Sequence, residues 1–61
     1  MNIGNFYKIV INVNNTILTF RGKIISADEN FTTFIDKFGT DYTYNNNNII
    51  SFEKIEDYNN D

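Results

Sequence analysis

Cysteine, histidine, proline and tryptophan are all missing from this 61-residue sequence, which also has only one alanine, one leucine and three glycines. Without cysteine no disulfide can staple a small core, and without cysteine or histidine the usual zinc ligands are gone, so no metal and no cofactor is expected. The same absences remove the commonest general base and the strongest nucleophile. Ser26 and Ser51 have no recognisable base near them in sequence, and the chain reads as a non-enzyme. No stretch approaches the roughly 20 apolar residues of a membrane-spanning helix, and residues 1–7 hold no basic region ahead of an apolar run. No membrane is expected as a partner, and the expected location is cytoplasmic. With no proline, glycine and asparagine must make the corners.

What the chain does have is six phenylalanines, four tyrosines and ten isoleucines, so aromatic and β-branched side chains carry the burial and favour sheet over helix. At 7.2 kDa it forms one domain over residues 1–61, with an ordered core expected at 6–55 and an acidic, frayed tail at 56–61. The twelve asparagines match the codon usage of an A+T-rich genome and are discounted as chemistry. The net charge of −3 conceals a division: residues 1–27 carry +3 through Lys8, Arg21 and Lys23, and residues 28–61 carry −6. The acidic whole disfavours non-specific nucleic-acid binding.

Residues 7–13 alternate with period two, placing Tyr7, Ile9, Ile11 and Val13 on one side and Lys8, Val10 and Asn12 on the other. Asn14-Asn15 suits a two-residue primed turn. That turn predicts a register in which Ile11 opposes Leu18, Ile9 opposes Phe20 and Tyr7 opposes Gly22. It also sets Lys8 against Arg21, with Lys23 two residues beyond, so something negative should lie close by. The acidic C-terminal residues Glu53, Glu56, Asp57 and Asp61 are the expected source.

Gly22, inside the long run of residues 17–27, marks a sharp bend, a bulge or a close backbone approach, and a side chain there is expected to crowd Tyr7. Asp28-Glu29-Asn30 breaks the pattern as a turn rather than a metal site. Asp36-Lys37-Phe38-Gly39 forms the next turn, pairing Phe34 with Tyr42, Thr32 with Tyr44, Thr33 with Thr43 and Ile35 with Asp41. Both faces of this second ribbon hold apolar groups, which predicts a surface covered by another subunit, a partner or a ligand. Residues 45–48 form a turn with 3₁₀ character, the last strand runs over 49–53, and Ile55 and Tyr58 are candidates to dock as a short helical turn.

Five strands, a bent second strand with a glycine, and a short turn before the last strand predict an all-β fold: a five-stranded, strongly bent antiparallel small barrel of SH3-like topology. The stretch Phe20-Arg-Gly-Lys-Ile-Ile-Ser-Ala-Asp28-Glu-Asn-Phe31-Thr-Thr-Phe-Ile35 resembles the first motif of the Sm-like family, which includes the bacterial Hfq type. Gly39-Thr-Asp-Tyr-Thr-Tyr-Asn-Asn-Asn-Asn-Ile49-Ile-Ser-Phe looks like the ending common to these barrels. The likeness covers about residues 7–55. It implies rings built by pairing the fourth strand of one subunit with the fifth of the next, and RNA held on loops at the pore. It further implies that Asp28 holds a turn and that Thr32 stands at the family's RNA-contacting asparagine position. Asn46, Asn47 and Asn48 replace the second motif's Arg-Gly pair, so Asn46 and Asn47 are carried over with Thr32 as candidate RNA contacts.

Two further groups of candidates come from the residues themselves. Phe34, Tyr42 and Tyr44 form an aromatic set suited to a protein partner or an oligomer interface, with base stacking as the alternative. Lys8, Arg21 and Lys23 are the phosphate or anion candidates, weak and salt-sensitive unless a ring multiplies them. The leading expectation is a non-catalytic adaptor or inhibitor that covers a protein surface, as a homo-oligomer. The alternatives are an Sm-like ring binding single-stranded RNA or a small nucleotide, a purely structural oligomer, and a phage or mobile-element protein. The last would counteract a host defence by blocking a protein or sequestering a nucleotide signal.

Overall fold

Asn14 and Asn15 both adopt positive φ, 51° and 65°, the left-handed pair that a two-residue primed turn needs and that asparagine tolerates better than other side chains. The computed structural model describes residues 2–58. The turn joins β1 (Phe6–Val13) to β2 (Thr16–Ala27) in the expected register: Tyr7 opposite Gly22, Lys8 opposite Arg21, Ile9 opposite Phe20 and Ile11 opposite Leu18. Because side chains alternate across a strand, this register sends the isoleucines of β1 to one face, where Ile9 and Ile11 are fully buried.

β2 serves two partners in succession. It pairs with β1 up to Lys23, and from Lys23 onward with β3 (Phe31–Ile35), with a register shift between Ile24 and Ser26 that leaves Ile25 as a bulge residue. Gly22 stands just before this change of partner. An ideal Cβ built there would lie 2.6 Å from Cδ2 of Phe34 and 3.2 Å from the carbonyl oxygen of Ile35, so the missing side chain is what lets the Phe34 ring rest on the β2 backbone. The expected crowding partner, Tyr7, is corrected to Phe34: Tyr7 is the cross-strand neighbour, but the contact over the glycine comes from β3.

Asp36 builds the following turn. Its Oδ1 accepts from the backbone N–H groups of Phe38 (2.9 Å) and Thr40 (3.0 Å), and Gly39 takes the left-handed φ of 82° that closes it. β4 (Asp41–Asn45) then pairs with β3 as expected, Phe34 opposite Tyr42 and Thr32 opposite Tyr44. A 3₁₀ turn, Asn46–Asn48, is capped by Asn45, whose side chain accepts from the Asn47 N–H. β5 (Ile49–Ile55) returns along β1.

The five strands form one antiparallel sheet in the order β4-β3-β2-β1-β5. Closure of the wall is not observed: among the described residues no ladder joins β4 to β5. The residues between them bond elsewhere, Asn46 to the β2–β3 turn and Asn48 Nδ2 to the Asn12 carbonyl oxygen at 2.9 Å. The sheet nevertheless curls. Phe20 of β2 sits 4.8 Å, centroid to centroid, from Tyr42 of β4, although β3 lies between those strands and flat neighbours are about 4.8 Å apart per step.

The core is Tyr7, Ile9, Ile11, Ile24 and Phe34, with Val13, Phe20, Tyr42, Tyr44 and Ile49 packed around it. β5 continues through a buried Ile55, and Tyr58 meets Phe6 edge-on at 4.8 Å and 85°, from a bend and turn rather than a helical turn. The remaining expected tail residues, 59–61, lie outside the described residues.

Gly22→Val should destabilise the protein by about 1–3 kcal/mol, because the added side chain would press on the fully buried Phe34 ring and on the Ile35 carbonyl. Urea denaturation followed by tyrosine fluorescence checks this; an unchanged midpoint would show that Phe34 does not depend on the bare backbone.

Candidate interaction surfaces

The outer face of the first ribbon gathers the basic residues. Lys8 has Arg21 as its partner on β2 and Glu53 as its partner on β5, so a cation stands between a like and an opposite charge. The negative group expected beside this pair is therefore placed by β5 pairing. One rung further, Lys23 opposes Phe6, with Nζ 6.0 Å from the ring centroid, at the limit of a cation–π contact. Lys8, Arg21 and Lys23 thus share one face as successive cross-strand neighbours, and Phe6, backed by Tyr58, borders them.

The aromatic set divides. Phe34 is fully buried and offers no surface, which corrects its expected place in an interface; the cause is its seat on Gly22. Tyr42 and Tyr44 flank it as half-buried rings, nearly parallel to it at 5.5 Å and 6.2 Å. Partial burial, and then the neighbouring Asp36 carboxylate to which its hydroxyl donates at 3.3 Å, push the Tyr42 phenol above its ordinary pKa. These two tyrosines keep an exposed portion beside the β4 edge.

The residues carried over from the Sm-like resemblance meet in space, but they bond to one another. The Thr32 hydroxyl donates to Oδ1 of Asn46 at 2.6 Å, Asn46 Nδ2 donates to the Asp28 carbonyl oxygen at 3.0 Å, and the Asn46 N–H donates to the Asn30 carbonyl oxygen at 2.8 Å. Thr32 is 2% exposed, so it cannot reach an RNA base, and the amide of Asn46 is bonded at both ends. The expected RNA contact at Thr32 is corrected to a tie between two turns. Asn47 remains exposed.

Asp28 anchors this tie. Its Oδ1 accepts from the N–H groups of Phe31 (2.7 Å) and Asn30 (2.8 Å), and these two bonds, Phe31 first, hold the carboxyl below its ordinary value of 3.8.

A groove of about 710 Å³ runs between this tie and β5, lined by Ala27, Asp28, Thr32 and Asn46 on one side and by Ile49, Ile50, Ser51 and Phe52 on the other. A register shift between Val10 and Ile11 pairs Ser51 and Ile49 with β1 and leaves Ile50 between them. Ile50 is 56% exposed and Phe52 51%. Neither stood out in the sequence; the available signal was that Ile49, Ile50 and Phe52 put apolar groups on both parities of one short strand. Among the described residues no group of three or more histidine, cysteine, aspartate or glutamate side chains could hold a metal ion, and no helix is long and apolar enough to cross a membrane. Compared with known proteins, the chain matches no family model, no curated protein and no solved structure.

The lowered pKa of Asp28 gives a pH dependence of definite sign. A depressed folded-state pKa contributes stability above 3.8 that is lost as pH falls through the folded value. Asp28→Ala should therefore be less stable than the parent at neutral pH, with the gap closing as pH drops below that point. Thermal melts at stepped pH test this, and a gap that stays constant to the acid limit would remove the charge from the explanation.

Proposed function

We propose that the chain is a non-catalytic binding module that acts by protein–protein contact, as an adaptor or inhibitor, and that it associates first with copies of itself. The observation that carries this reading is β5: an edge strand with Ile50 and Phe52 each about half exposed and with no strand partner on its outer side among the described residues. An exposed apolar edge offers backbone donors and acceptors in register with side chains that gain by leaving water, which is the arrangement β-strand addition uses. β4 is the other edge, so head-to-tail pairing of β4 with β5 of a neighbour would close a ring.

The strand order, the doubly partnered β2 with its bulge, and the 3₁₀ turn before β5 support the finer reading of an SH3-like or Sm-like small barrel. The RNA-binding alternative draws less support, since Thr32 and Asn46, two of its three carried-over contacts, are bonded to each other.

Light scattering at several concentrations tests the proposal. The parent chain should exceed its 7.2 kDa monomer mass, and Ile50→Lys, at the exposed bulge, should shift it to monomer without lowering its melting temperature. A parent that stays monomeric at millimolar concentration would overturn self-association.

A further inference from the structure

A second groove, of about 380 Å³, opens on the side of β2 that β3 leaves uncovered. Because β2 meets β3 only from Lys23 onward, residues 16–22 have a strand partner on the β1 side alone among the described residues. Thr19 and Arg21 line the groove from β2, Lys37 and Phe38 from the β3–β4 turn, and Tyr58 from the segment after β5.

The turn tip is the informative part. Phe38 is 81% exposed, the most exposed large apolar side chain among the described residues, and Lys37 Nζ stands 5.3 Å from its ring centroid. Neither side chain is needed to form the turn, which the Asp36 carboxylate and Gly39 hold through the backbone. Asp36 is the acid of the lining, and its oxygens are committed to the turn: Oδ1 to the Phe38 and Thr40 N–H groups, Oδ2 to the Tyr42 hydroxyl.

Two cations from separate elements and an exposed ring suit a ligand that joins a phosphate to a flat aromatic system. A guanidinium and an ammonium bind phosphate by charge-assisted hydrogen bonds, and an exposed phenylalanine stacks on any base. Arg21 already has a contact within the protein, and a guanidinium carries five N–H donors, so a phosphate can share it. The volume falls within the range of small-molecule sites, and the net charge of −3 repels a polyphosphate chain far more than a single phosphate. We propose that this groove binds a mononucleotide, with the phosphate on Arg21 and Lys37 and the base on Phe38. None of its lining residues belongs to β4 or β5, so the proposal stands or falls apart from self-association.

Amide chemical-shift titrations of the full chain at low ionic strength test it, using adenosine monophosphate, adenosine, inorganic phosphate and a single-stranded oligonucleotide as probes. Adenosine monophosphate should shift Thr19, Arg21, Lys37 and Phe38, and adenosine or phosphate alone should bind about tenfold or more weakly. Phe38→Ala should weaken the nucleotide by about tenfold through lost stacking, and Lys37→Glu should weaken the nucleotide but not adenosine. No shifts at millimolar nucleotide, shifts centred elsewhere, equal affinity in both variants, or tighter binding of the oligonucleotide with shifts beyond the groove would each overturn it. The comparison of probes on the parent chain decides the matter even if a variant is poorly folded.

Discussion

The contact between the Phe34 ring and the bare backbone of Gly22 is the constraint on which the shape of the sheet depends. It lets β3 cross onto β2 where β2 changes partner, and this brings the rings of β3 and β4 over the first ribbon. Phe20 then reaches Phe34, Tyr42 and Tyr44 at centroid distances of 5.2, 4.8 and 5.9 Å, and Ile9, Ile11 and Ile24 are covered completely. Full burial of such a side chain contributes roughly 1.5–3 kcal/mol. In a chain with no disulfide to restrict the unfolded state, a handful of these burials carries much of the stability, and that of Phe34 relies on one missing Cβ.

The polar residues work at the ends of the strands. Asp28, Thr32 and Asn46 tie the β2–β3 turn to the 3₁₀ turn, and Asp36 ties the β3–β4 turn to Tyr42. In each case a carboxylate takes up backbone donors that a turn would otherwise leave without partners, so short connections form without proline. On the outer face the interactions are looser, and Lys8 lies between Arg21 and Glu53 as one member of a charged row open to solvent screening.

The two hairpin registers were legible because both are local: a turn of known length fixes which residues oppose, and alternation of apolar residues fixes the face. The pairing of β1 with β5 was not, since it joins residues far apart in sequence, from Ile11 with Ile49 to Phe6 with Ile55, and no turn specifies it. That one non-local pairing places Glu53 beside Lys8, leaves Ile50 on a bulge and makes β5 an edge. The burial of Phe34 was hidden for a related reason. Thr32 and Phe34 alternate with Thr33 and Ile35, so apolar groups fall on both parities, and only the bend at Gly22 decides which parity goes inside. Thr32 follows Phe34 inward as a polar residue, tolerated there because Asn46 accepts from its hydroxyl.

Small domains must leave apolar side chains in water, so an exposed isoleucine is not by itself informative. Position separates the cases. Ile25 is exposed at the β2 bulge, between Ile24 and Ser26, which both pair with β3. Ile50 and Phe52 differ in lying on an edge strand beside a groove, where apolar area and available backbone hydrogen bonds coincide. A partner strand laid there would satisfy both needs at once. Phe38 belongs to neither class: it stands at a turn tip, where no strand could cover it, beside a cation. The same economy of chain that forces hydrophobic surface into the open therefore sorts it into two kinds, one fitted to extended backbone and one to a flat, charged small molecule.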